Sequence, residues 1–181
     1  AVARKKKYMG YSDAGSLLAM LYKAGFAHLA HGPMASDAVR SDATAYRALN
    51  WFLKDDPASL EPSLLNDPRP AVAFNLTIID QLLGTPLEPD LTGHVLMLEE
   101  VSEALYRVDR MMFHLTSQAS IRRVAGIRLG RVSDVPANDP DFGQTPEDIV
   151  RYWCRRSGIP YLGLADIGHD GDNKVVPFGR R

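Results

Sequence analysis

Tyr8-Met9-Gly10-Tyr11-Ser12-Asp13-Ala14-Gly15-Ser16-Leu17-Leu18-Ala19-Met20-Leu21-Tyr22-Lys23-Ala24-Gly25-Phe26 is the stretch on which the fold turns. Residues 5–11 read as a short strand that runs into a sharp turn at Gly10-Tyr11-Ser12-Asp13. A helix over about 14–24 follows, with Leu17, Leu18 and Leu21 toward a core, and Gly25 is a natural stop. Residues 26–30 read as the next strand, broken by His31-Gly32-Pro33. A second helix is expected over about 42–54, capped by Ser41, with Tyr46, Leu49, Phe52 and Leu53 as its apolar face. Strand alternating with helix implies a layered α/β unit with a parallel sheet.

The texture then changes. Pro57, Pro62, Pro68 and Pro70 stand among acidic and amide residues, and proline restricts both itself and its predecessor. Residues 55–72 are therefore expected to be a linker between a unit at 1–54 and a second at 73–181. The second unit opens with Asn75 as cap of a short helix carrying Leu76, Ile79, Leu82 and Leu83, ended by Gly84-Thr85-Pro86. Residues 95–98 read as a strand and 103–116 as a helix with Leu105, Val108, Met112 and Leu115 on one face. Met111 and Met112 read as core filler. Residues 124–132 read as a strand. Thr145-Pro146-Glu147-Asp148 starts a helix with a cap, a proline and an acidic first turn. Residues 159–165 and 174–178 read as short strands around the polar loop 166–173.

Composition bounds the function. The 181 residues carry 21 Lys plus Arg against 22 Asp plus Glu, so no general nucleic-acid footprint is present. The basic run Arg4-Lys5-Lys6-Lys7 reads as a solvated approach to a strand. An apolar content of 45% supports a folded globular chain. No stretch reaches the length of a membrane span, and no signal peptide is visible. The single cysteine, Cys154, excludes a disulfide within the chain and reads as a buried hydrophobe. His28 and His31 lack further ligands at zinc spacing, His94 and His114 are solitary, and loop 166–173 does not follow a calcium pattern. No metal or cofactor is expected.

Three residues could carry chemistry. Ser12 stands between a strand and a helix whose first N–H groups are unpaired donors; it reads equally as a helix cap. Glu99 and Glu100 end a strand whose alternation sends them to opposite faces, so one of them could face a site; both could also be surface charges. His169, flanked by Gly168 and Gly171, could activate a serine if a carboxylate oriented it, or be a surface histidine.

Together these residues resemble the LD-carboxypeptidase (muramoyltetrapeptide carboxypeptidase) family, which also contains the microcin C self-immunity peptidase. Gly10-Tyr11-Ser12-Asp13 followed by His31-Gly32-Pro33-Met34 matches its first signature, and Asn75-Leu76 with Leu83-Gly84-Thr85-Pro86 its second. Leu98-Glu99-Glu100 with Tyr106-Arg107-Val108-Asp109-Arg110 is similar to the third. Ala125-Gly126-Ile127-Arg128-Leu129-Gly130 is similar to the fourth, and Gly158-Ile159-Pro160, Gly168-His169 and Pro177-Phe178-Gly179 to the last. The motifs fall in order over about residues 9–179. The resemblance implies a two-domain serine peptidase: the C-terminal part of a Rossmann-like domain, then a smaller α/β swivelling-barrel-like domain. It implies a Ser12-Glu99-His169 triad in the cleft between them, with the Asp13 N–H as an oxyanion donor. The implied reaction removes a terminal D-alanine from a murein tetrapeptide in the cytoplasm, as a homodimer, without nucleic acid, membrane or cofactor. Family members are longer, which implies leading strands and a glycine-rich loop ahead of this segment. Ala73-Phe74 stands where the family has two glycines. A microcin C-like peptidase acting on peptidyl or aminoacyl nucleotides is the alternative enzyme, with Trp51 and Phe52 as candidate stacking residues. A non-catalytic binding protein on the same fold is the alternative of another class.

Overall fold

The computed structural model describes residues 2–34, 36–37 and 41–179. β1 (Tyr8–Gly10), α1 (Ala14–Lys23) and β2 (Leu29–His31) make a parallel β-α-β unit, with Tyr8 opposite Leu29 and Gly10 opposite His31. The expected first strand starts later than its sequence suggested, because Ala3–Lys5 forms a turn of 3-10 helix. Gly25, at φ 78°, ends α1 in the left-handed conformation that glycine adopts without strain.

α2 (Asp42–Lys54) has the expected cap, Ser41 accepting from the Thr44 N–H at 3.4 Å. Lys7 closes its other end. The ammonium donates to the carbonyls of Trp51 (2.9 Å) and Phe52 (3.1 Å) and pairs with Asp55 at 2.6 Å. A cation there complements the helix dipole. The expected apolar face is corrected. Thr44 and Trp51 are the buried residues of α2, whereas Tyr46, Leu49 and Leu53 are 66%, 51% and 76% exposed and Phe52 is also exposed. In α1, Leu18 is buried as expected but Leu17 is exposed.

The stretch expected as a linker is ordered. Two 3-10 turns, Pro57–Ser59 and Pro62–Leu65, bury Leu60 and Glu61, and its last two residues already belong to a strand, β3 (Ala71–Asn75). β3, β4 (Val95–Val101), β5 (Gly126–Ser133) and β6 (Tyr161–Leu164) form a four-stranded parallel sheet in chain order. α3 (Leu76–Leu82), α4 (Leu105–Ser117) and α5 (Pro146–Ser157) are the crossover helices that parallel pairing requires. Asn75 caps α3, accepting from the Ile78 N–H at 3.2 Å. Thr145 and Asp148 form a full capping box on α5. Cys154 is buried, and burial pushes its thiol up to about 12.

The final strand, β7 (Val176–Pro177), returns to pair antiparallel with β2 and completes a second, three-stranded sheet in the order β1-β2-β7. One apolar core is common to both sheets. It includes Leu18, Ala19 and Leu29 from the first β-α-β unit and Phe74, Leu96, Met112, Ile127 and Phe178 from the rest. Phe178 packs edge-on to Tyr22 (5.6 Å) and Phe74 (5.2 Å). Phe74 therefore fills this core. A Cβ placed on Gly15 would touch its ring at an ordinary 3.4 Å and press on Ile78 Cγ2 at 3.2 Å.

Candidate active site

The turn between β1 and α1 is tight because of two residues. A Cβ on Gly10 would lie 2.8 Å from the Cβ of Ala14, so only glycine lets the helix begin so close to the strand. Ser12 itself has φ 55°, a left-handed conformation that disfavours non-glycine residues. The Ala14 and Gly15 N–H groups close the turn on the carbonyls of Tyr11 (3.2 Å) and Ser12 (2.8 Å). The strain argues against an ordinary cap. The residue in the cap position is Asp13, with no side-chain cap bond, and its N–H donates to no carbonyl among the described residues. The arrangement leaves a half-buried serine beside an unused N–H at a helix start, which suits stabilisation of an oxyanion.

β4 runs on through both glutamates, and alternation separates them as expected. Glu100 turns to α3, where it accepts from Asn75 Nδ2 (2.7 Å), the Thr77 N–H (2.8 Å), Thr77 Oγ1 (2.7 Å) and the Val101 N–H (2.9 Å). It anchors the helix start. Glu99 is the opposite case. It is 0% exposed, neither of its oxygens has a hydrogen-bond partner among the described residues, and Oε2 lies 3.4 Å from His169 Nδ1. The separation is that of an ion pair without the alignment of a hydrogen bond. The Glu99 carboxylate holds the His169 imidazole above its usual value against burial, and the charges of Glu100 and Asp37 add to the lift.

His169 reaches Glu99 from the loop between β6 and β7. The Gly168 N–H donates to Asn173 Oδ1 at 3.2 Å, and Arg47 of α2 donates to the carbonyls of Gly171 (3.3 Å) and Asn173 (3.0 Å). The ring of Tyr11, next to Ser12, packs edge-on against His169 at 4.6 Å between centroids. Glu99 and His169, read from separate parts of the sequence, thus meet, and Tyr11, the neighbour of Ser12, packs on the imidazole. No hydrogen bond joins Ser12 to His169, a looseness usual in unliganded sites.

Sequence reasoning gave no role to four neighbours. Tyr11 donates to Asp37 Oδ1 at 3.3 Å, and Asp37 also accepts from the Met34 N–H at 2.9 Å. His31 and Asn173 are buried, with His31 Nε2 and Asn173 Nδ2 unpartnered among the described residues. Burial drives His31 down to about 3; a contact with Asn173 opposes this and the nearby His169 adds to it. His31 is therefore neutral at ordinary pH. The sequence signals for these residues were the motif stretches that hold Tyr11 and His31, while Asp37 and Asn173 carried none. His94 bonds Tyr22 Oη at 2.6 Å and His114 pairs with Asp80 at 2.7 Å, both far along the chain from His169. Among the described residues no three His, Cys, Asp or Glu side chains form a metal-binding group, and no helix is long and apolar enough to cross a membrane.

A Synechocystis protein named as a carboxypeptidase is 32% identical over 189 residues, covering 100% of this chain and 61% of its own. The murein tetrapeptide carboxypeptidase of Pseudomonas aeruginosa is 25% identical, covering 98% of this chain and 62% of its own. The chain thus spans about three fifths of the length of these relatives. The crystal structure of muramoyltetrapeptide carboxypeptidase from Oxalobacter formigenes superposes with a TM-score of 0.78 at 26% identity, over 96% of this chain and 62% of that one. A microcin self-immunity protein in complex with aspartyl sulfamoyl adenosine gives 0.79 at 17% identity, over 98% and 64%, a likeness of fold alone. Residues 70–181 match the family model described as the LD-carboxypeptidase C-terminal domain, and the chain belongs to the LD-carboxypeptidase family.

Proposed function

We propose that this chain is the catalytic part of a serine carboxypeptidase that hydrolyses the L,D peptide bond before a terminal D-alanine in murein tetrapeptides. The observation that carries the reading is the buried Glu99 carboxylate, otherwise unpartnered among the described residues and aimed at His169 Nδ1, on the imidazole that packs against the neighbour of Ser12. A charge buried with no other partner is expensive to keep, and a catalytic role accounts for it.

His169 Nε2 takes the Ser12 Oγ proton as Oγ attacks the peptide carbonyl. The Asp13 N–H donates to the resulting oxyanion. His169, charged and stabilised by Glu99, returns the proton to the leaving amine of D-alanine. Water, activated by the same imidazole, then hydrolyses the acyl-serine and restores the hydroxyl.

We read the β1-β2-β7 sheet with α1 as the C-terminal part of a Rossmann-like domain, and the four-stranded sheet with its helices as a swivelling-barrel-like domain. Residues 1–54 and 73–181 are the corresponding units, with β7 of the second crossing back to complete the sheet of the first. A cytoplasmic homodimer is the matching expectation. The nucleotide-stacking alternative gains no support from Trp51, which is buried with Ala30, Leu60 and Val175.

The test is mass spectrometry of a murein tetrapeptide incubated with the full-length protein and its Ser12→Ala variant. Loss of one terminal D-alanine, abolished by the substitution, is the expected result. An intact tetrapeptide, or cleavage that survives Ser12→Ala, overturns the reading.

A further inference from the structure

β5 slips against β4 at one place. Leu98 faces Leu129 and Glu100 faces Val132, so Gly130 and Arg131 together stand against the single residue Glu99. Such bulges re-aim side chains, often beside active sites. Gly130 lets the His169 loop lie directly on the strand, since a Cβ there would be 2.6 Å from Ile167 Cγ1 and 2.8 Å from the Ile167 carbonyl oxygen. The Arg131 N–H donates to that same carbonyl at 2.8 Å.

The Arg131 side chain then spans the loop. Nη1 donates to Asp166 Oδ1 at 2.7 Å, and Nε and Nη2 donate to Asp170 Oδ2 (2.5 Å) and Oδ1 (2.8 Å). Asp166 and Asp170 bracket His169 in sequence, and Lys174 adds a looser contact to Asp166 at 3.5 Å. All three members of the network are more than a third exposed or close to it. Exposed ion pairs contribute little to stability. What a planar, two-pronged guanidinium supplies here is direction.

We propose that Arg131 is a positioning residue for His169, its fork fixing both flanks of the loop so that Nδ1 meets Glu99. The inference rests on the Ser12-Glu99-His169 reading. Glu99 meets His169 directly and the Tyr11 ring packs against it, while Glu100, Asp37 and His31 act on it through space by charge. Arg131 acts on the loop that presents the imidazole to them.

The experiment compares wild type with Arg131→Lys, Arg131→Met and Asp170→Asn in the full-length protein. Arg131→Lys keeps the charge but loses the fork. It is expected to lower kcat by about 10- to 100-fold, the effect of a displacement of about 1 Å at a reacting group, with KM within about twofold. The acid limb of kcat/KM, where His169 must lose its proton, should move to lower pH as the Glu99 contact loosens. The same shift should appear in an NMR titration of the His169 Cε1–H, which needs no substrate. Asp170→Asn removes half of the fork and should reproduce the effect if Arg131→Met fails to fold. Unchanged kcat, pH limb and NMR titration in Arg131→Lys and Asp170→Asn overturn the inference. Hydrolysis that survives Ser12→Ala overturns the triad instead, and the NMR titration then still decides what Arg131 does to His169.

Discussion

Replacing Glu99 by glutamine should make the protein more stable and nearly inactive. Glu99 is 0% exposed and, among the described residues, neither of its oxygens has a hydrogen-bond partner and His169 is the group that pairs with its charge. The effective penalty for burying an ion is several kcal/mol. At 3.4 Å and an effective dielectric of about 20, a protonated imidazole returns at most about 5 kcal/mol, and a neutral one returns little. The sign with pH follows. His169 is raised in the folded state, chiefly by Glu99, so the stability it contributes is present at low pH and is lost as pH rises through its folded pKa. Glu99→Gln removes both the lift and the stranded charge. Its advantage over wild type should therefore be small at pH 6 and grow toward pH 9, to about 1–3 kcal/mol. For a chain of this size that is roughly 2–4 °C in Tm for each kcal/mol. The kcat should fall by about 10⁴, as loss of a triad carboxylate does. Urea unfolding at pH 6, 7.5 and 9, beside D-alanine release, measures both. A variant less stable than wild type at pH 9 by more than about 1 kcal/mol would show that Glu99 is held by partners other than His169, and the reasoning would fall.

The other expectations are more local. Ser12→Gly removes the strain of φ 55° and should raise stability by up to about 1 kcal/mol in calorimetry while abolishing hydrolysis. A destabilised variant would mean that the Ser12 side chain supports the turn. Gly130→Ala forces a methyl against the Ile167 carbonyl and should lose about 1–3 kcal/mol, with faster hydrogen exchange in loop 166–173. His31, held down to about 3 against an ordinary value of about 6.5, binds its proton in the unfolded chain first. Stability should therefore fall as pH drops below about 6.5, by about 2 kcal/mol at pH 5, and His31→Gln should flatten that slope in urea titrations.

The β1-Ser12-α1 turn was legible because its causes are local. Gly10 and Ser12 lie within three residues, and the steric demand on Gly10 comes from Ala14. Helix starts at Ser41, Asn75 and Thr145 were legible for the same reason, each cap accepting an N–H three residues on. β3 was missed. Its five residues are all buried, so no alternation marks it, and the prolines before it read as the end of structure. The meeting of Glu99, His169 and Tyr11 was not in any local pattern. It depends on β7 returning to β2 and on the slip opposite Glu99, and both are long-range pairings.

α2 shows where periodicity stops being evidence. Tyr46, Leu49 and Leu53 recur at helical spacing and form one face, as read. The structure turns the other face inward, because Arg47 must reach the carbonyls of Gly171 and Asn173 and Trp51 must reach Ala30, Leu60 and Val175. A spacing pattern reports that two faces differ; it does not say which one the rest of the chain will claim. Here the polar face is claimed because it holds the loop that carries His169. Thr44 belongs to the same face: it is buried, and its hydroxyl also donates to the Gly171 carbonyl. The orientation of α2 is thus set by Trp51 burial together with its bonds to the loop that carries His169, and a change at Arg47 should disturb His169 before it disturbs the helix.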